Sequence, residues 1–112
     1  PRNQIINHID SGVVVTDADD RIIDINPAAE SLLGADDVVG RELTALDSEI
    51  ARTVADMDPE TTTEITLPED ATRHYECSKS TLVASGGFEE TALYIFTDIT
   101  TQKRRQPLRW MQ

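Results

Sequence analysis

The apolar positions of this chain change period twice, and the changes divide it into elements. Val13–Thr16 and Arg21–Ile25 are β-branched runs around an acidic loop, Asp17–Asp20, which predicts a tight hairpin. Asn26-Pro27 then predicts a helix start, because Asn can accept from an orphan amide and Pro suits the first helical position. Ala28, Ala29, Leu32 and Leu33 make one apolar helical face, and Gly34 ends it. Short helical turns follow, with Leu43 and Leu46 facing inward. A further helix runs from Asp47 to about Met57 with Leu46, Ile50, Val54 and Met57 in helical register, capped by Asp47 or Ser48 and stopped at Asp58-Pro59.

From Thr61 the period becomes two. Thr61–Leu67 reads as a strand, Pro68-Glu69-Asp70 as a turn and Arg73–Val83 as a long strand. Tyr75, Cys77 and Lys79 share one of its faces and His74, Glu76 and Ser78 the other. Ser85-Gly86-Gly87 reads as a hairpin loop, and Thr91–Thr97 as the last strand before Asp98-Ile99-Thr100. At the front, residues 4–9 set Ile5, Ile6 and Ile9 on one side of a helix too short to stand alone, broken by Asp10-Ser11-Gly12. Two strands, helices, then three strands predict an α+β fold, an antiparallel sheet with helices packed on one face. A lone hairpin is marginal, so both sets of strands belong to one sheet.

Composition narrows the picture. A chain of 112 residues holds one core. It opens at Pro1 without an initiator Met and is read as a piece of something longer, a short helix (1–10), a core (11–100) and the start of a linker helix or tail (101–112). No stretch approaches the ~18 apolar residues of a membrane span and no signal peptide opens the chain, so a cytoplasmic domain without direct membrane contact is expected, its parent free to be membrane-anchored. Ten basic residues stand against 21 acidic ones, and four of the ten lie beyond residue 100, where there is no acidic residue. So acidic a body repels nucleic acid, and Arg104–Arg109 is too small a basic tail to reverse that. Two lysines among so many Asp, Glu and Thr residues fit a protein that works in concentrated salt.

Catalytic and metal chemistry find little footing. Cys77 is the sole cysteine, and with only His8 and His74 beside it no metal cluster forms. Asp17, Asp19 and Asp20 lack the acidic pattern of a calcium loop and are explained by a surface turn, while Gly86-Gly87 is a turn pair rather than a phosphate cradle. The chain itself is therefore expected not to be an enzyme.

These elements together resemble a PAS domain. The resemblance rests on Val13–Gly34 with its Asn26-x-x-Ala29 and Leu32-Leu33-Gly34, on Val39-Gly40-Arg41, on the three-strand second half, and on Asp98-Ile99-Thr100 followed by Gln102-Lys103-Arg104. It spans about residues 4–105 and implies a five-stranded antiparallel sheet in the order 2-1-5-4-3, flanked by helices. It also implies a sensory or signal-input role in a sensor kinase, transducer or regulator, within two-component and similar pathways. Asp98, Ile99 and Thr100 would then join the last strand to an output helix. Capping alone also accounts for Asp98 and Thr100, whose oxygens suit the amides of a first helical turn.

In PAS domains the cavity lies between the inner sheet face and the middle helices. Alternation nominates Tyr75, Cys77, Tyr94 and Phe96 from the strands, and Leu33, Leu43, Ile50 and Val54 from the helices. The same eight residues fit plain core packing. No cofactor is identified. The flavin branch carries its cysteine in a middle-helix motif where this chain has Gly40–Thr44, and the haem branch uses a middle-helix histidine that Asp47–Met57 lacks. A flavin–cysteine adduct and His-ligated haem are thus disfavoured. Cys77 is expected to be a buried structural thiol, with Glu76 raising its pKa. Two readings stand: an input domain responding to a small molecule, redox or partner state, and a ligand-free module that forms a homodimer through its flanking helices around Ile5–Ile9 and Leu108–Trp110.

Overall fold

The computed structural model describes residues 11–83 and 90–100. The flanking helices, the Ser85-Gly86-Gly87 loop, His8 and Lys103–Arg105 lie outside those residues. Five strands form one antiparallel sheet: β1 (Gly12–Thr16), β2 (Ile22–Ile25), β3 (Thr61–Leu67), β4 (Asp70–Val83) and β5 (Glu90–Asp98), in the spatial order β2-β1-β5-β4-β3. Helix α1 (Pro27–Leu33), a 3₁₀ turn (Leu43–Ala45) and helix α2 (Glu49–Ala55) lie between β2 and β3 in the chain. The sheet order is the one the PAS resemblance implies.

Local chemistry explains the boundaries. Gly34 adopts φ 69°, a left-handed cap with its amide on the α1 carbonyls. α2 is shorter than the Asp47–Met57 span that periodicity predicts, because Ser48 is extended and its Oγ accepts from the Ala51 amide at 3.1 Å. Ser48, not Asp47, is the cap. Leu46 and Met57 still pack on the core from just outside the helix, which is why the apolar period outruns it. β4 begins at Asp70 rather than Arg73. Asp70 pairs with Leu67 across a two-residue Pro68-Glu69 turn, with a bulge between Thr66 and Leu67. Arg21 drops out of β2 and bridges Glu42 instead, while Ile22 exchanges backbone bonds with Arg41 and Gly40. That pairing covers the start of the β2 edge of the sheet, a usual way to blunt an edge strand.

One face of the sheet carries the core. Val14, Ile65, Cys77, Tyr94 and Phe96 from the strands meet Ala29, Leu33, Leu43, Leu46, Ile50, Ala51 and Val54. Gly12 marks the closest approach of helix to sheet, since a Cβ there would lie 3.1 Å from Ala29 Cα. Among the described residues no helix is long and apolar enough to cross a membrane.

Candidate functional site

Three places on this scaffold carry chemistry: the Asn26 knot, the inner sheet face, and the end of β5.

Asn26 is buried, and its Oδ1 accepts from the Ala29 amide at 3.0 Å, the expected N-cap bond. The same oxygen accepts from the Val13 amide at 2.9 Å, and Nδ2 donates to the Ser11 carbonyl at 2.9 Å. One side chain thus starts α1 and pins it to β1. Sequence spacing reveals only the first of these bonds.

On the inner face Cys77 lies opposite Phe96, Lys79 opposite Tyr94, and Tyr75 opposite Asp98. The alternation assigned to β4 and β5 is therefore in phase. Leu33, Leu43, Ile50, Val54, Tyr75, Cys77, Tyr94 and Phe96 are all buried members of the core. Leu33 and Ile50 also reach an open cleft of about 440 Å³ between α1, α2 and the β3–β4 turn. Tyr75 reaches another of about 330 Å³ beside Leu32, Leu67 and Arg73. Burial pushes the Cys77 thiol up to about 12. The cause is desolvation and not the neighbouring Glu76, whose side chain points to the opposite face. Among the described residues no cluster of His, Cys, Asp or Glu is arranged to hold a metal ion.

The end of β5 folds back on the start of β4. The Asp98 Oδ2 accepts from Arg73 at 3.0 Å and its Oδ1 from the Thr100 amide at 2.9 Å. Arg73 also donates to the Tyr75 hydroxyl at 2.6 Å and lies over that ring at 5.5 Å. The Thr100 hydroxyl accepts from the His74 amide at 2.9 Å, and the Ile99 amide donates to the His74 carbonyl at 2.9 Å. The hydroxyl and amide of Thr100, followed by the Arg73 guanidinium, hold the Asp98 carboxyl below its usual range. Of the two Thr100 groups, the amide has bonding geometry to Asp98, whereas the hydroxyl is engaged with His74. Asp98 thus accepts locally, as expected. Thr100 instead ties the exit of β5 to the β4 backbone. Arg73, the basic partner in this network, carries no local sequence signal, because a partner 25 residues away is invisible along the chain.

The chain matches a known family, the PAS fold, over residues 6–104. The chain belongs to the PAS family. None of the curated protein sequences matches it. Among solved structures it is similar to a domain of an HTR-like protein from Haloarcula marismortui, with 25% identity over 81% of this chain and 99% of that one at a TM-score of 0.60. It is also similar to the PAS domain of Bordetella pertussis BvgS, with 17% identity, 99% and 96% coverage, and a TM-score of 0.67. A third likeness is to VqmA in a Vibrio cholerae VqmA–ligand–DNA complex, with 14% identity, 88% of this chain, 50% of that one, and a TM-score of 0.66. The last two share the fold. As a PAS domain the chain is of a class that generally serves as a sensory or signal-input module.

One polar residue departs from its expected place in this PAS domain. Of the acidic turn, Asp17 does what a turn residue does, accepting from the Asp19 and Arg21 amides at 2.9 Å each. Asp20 does not stay on the surface. It sits at φ 66°, half-buried, and desolvation raises its pKa against the opposing pull of Lys79.

Proposed function

We propose that this PAS domain is the input module of a larger signal-transduction protein, a sensor kinase, transducer or regulator, and that it relays its state through Asp98–Thr100. The observation that carries this reading is the strap at the end of β5. Arg73 and His74 hold Asp98 and Thr100 at the point where the chain leaves the sheet. A shift of β4 relative to β5 therefore changes the direction in which the chain leaves Thr100. Catalysis, such as that of a histidine kinase, is assigned to the rest of the parent, and the location to the cytoplasm. The acid-rich composition supports a habitat of concentrated salt.

The test is output from the full-length parent. Asp98→Ala and Thr100→Ala are each expected to uncouple output from stimulus while the domain stays folded. Unchanged output from a folded variant would refute the relay.

A second reading is favoured by the packing itself. Leu43, Val54, Cys77, Tyr94 and Phe96 sit in the core rather than at the clefts described above, as in a ligand-free interaction module. Native mass spectrometry separates the two, since an empty dimer supports the module and a bound small molecule supports the sensor.

A further inference from the structure

The centre of the inner face carries the buried core residues, and its end beside the β1–β2 turn meets open space. A cleft of about 190 Å³ opens there, walled by Thr16 and Asp20, by Lys79 of β4, by Ala92 of β5, and by Ala55 at the end of α2. Thr16 Oγ1 on this wall, and the Tyr94 hydroxyl, which does not line the cleft but lies near Thr16 and Asp20, have no hydrogen-bond partner of good geometry although both are shut off from solvent. Each residue is 0% exposed. Thr16 and Asp20 lie near enough to the Tyr94 hydroxyl to affect its ionisation, yet neither makes a bond of good geometry with it. Buried hydroxyls without partners are rare in native proteins, and each one left so costs free energy.

Two charges flank these hydroxyls. The Lys79 ammonium donates to the Met57 carbonyl at 3.0 Å and rests 5.4 Å from the centroid of the Tyr94 ring, with two further donors in hand. The Asp20 carboxylate is in no ion pair, since the pairs among the described residues are Arg21–Glu42 and Arg73–Asp98. Asp20 and Lys79 influence each other electrostatically without closing to an ion pair. Asp17 and Glu90 add negative charge to the cleft wall.

The geometry points to a binding site for a small α-amino acid, its carboxylate on Lys79 and its ammonium on Asp20, beside the unpartnered Thr16 hydroxyl of the cleft wall. Size agrees with charge. The cleft holds about six waters at the ~30 Å³ each takes in the liquid, room for a solute of six or seven heavy atoms such as alanine or serine. The small side chains of Ala55 and Ala92 leave that room. The inference rests on the sensor reading above and names the class of molecule sensed.

Titrating the purified chain with serine, alanine and glycine, and with propionate and ethanolamine as single-charge controls, tests it by calorimetry and amide-shift mapping. Serine and alanine are expected to bind and to move the amides of Thr16, Asp20, Lys79 and Ala92, and the controls are not. Lys79→Met and Asp20→Asn should each weaken binding about tenfold or more, the scale of a hydrogen bond to a charged group. Thr16→Val, which removes only an unpartnered hydroxyl of the cleft wall, should weaken it several-fold in a fully folded domain. No shift with any amino acid, equal binding of the controls, or full affinity in the Lys79 and Asp20 variants would overturn the site and leave it a pocket for water. A different small molecule found bound at another cleft would overturn this site and keep the sensor reading. Serine bound here with parent output unmoved would uphold the site and overturn its sensory role.

Discussion

Removing the Asn26 side chain should destabilise the domain more than the loss of an ordinary helix cap. Asn26→Ala deletes the cap bond to Ala29, which in other helices is worth about 0.5–2 kcal/mol. It also strips the Val13 amide and the Ser11 carbonyl of their side-chain partner at a part-buried site. A buried group left unsatisfied costs about 1–3 kcal/mol; two such groups, at the low end of that range for a part-buried site, added to the cap give about 2.5–4 kcal/mol. Against the ~5–15 kcal/mol that holds a small domain together, that is a large fraction. Urea unfolding followed by circular dichroism reads it directly. With a slope of about 1–3 kcal/mol per molar, the midpoint should fall by roughly 1–2 M. Asn26→Asp keeps the accepting oxygen for both amides and loses only the donor to Ser11, so it should recover most of the loss. A loss below about 2 kcal/mol in Asn26→Ala, within the range of a cap alone, would refute the claim that this residue pins α1 to β1.

Other outcomes follow from the same geometry. Gly12→Ala sets a Cβ about 3.1 Å from Ala29 Cα and should cost about 1–3 kcal/mol in the same urea assay, because helix backbone rather than a flexible side chain must give way. Asp98, with its folded pKa lowered, contributes stability above its unfolded value near 3.8 and loses it as pH falls through the lower folded value. Asp98→Asn should therefore flatten the acid limb of a stability–pH curve, by under ~1 kcal/mol because the Asp98 side chain is 38% exposed. Asp20 carries the opposite sign. Its raised pKa costs stability as pH climbs from 3.8 through the folded value, so Asp20→Asn, which also tolerates positive φ, should stabilise the unliganded domain at neutral pH. The domain as a whole should be more stable in molar salt than at ~10 mM, where charge screening reaches only beyond ~30 Å, and equal stability in both would remove the case for a saline habitat.

How much of this was legible in the chain depends on the range of the interaction responsible. Asn26 as a cap, Gly34 as a stop and the inward parity of Tyr75, Cys77, Tyr94 and Phe96 are written in spacing, because each depends on neighbours a few residues away or on strict alternation. The five strands, and through the PAS resemblance their order, followed from the same patterns. Element ends did not. α2 stops short of Met57 and β4 reaches back to Asp70 because a Ser48 cap and a two-residue turn settle those limits, and apolar period is blind to both.

The polar chemistry belongs to the tertiary structure. Arg73 meets Asp98, and Thr100 meets the His74 backbone, only because β4 and β5 pair in one register. Asp20 is one of three turn aspartates in sequence. In the fold it sits at a left-handed backbone position on the cleft wall, where it meets the charge of Lys79 and lies near the Tyr94 hydroxyl. Sequence by itself determined a PAS-like sheet, its core face and an Asp-Ile-Thr exit. Which charges and hydroxyls share a wall was decided by strand register and helix packing, which bring together groups that no local pattern along the chain can relate.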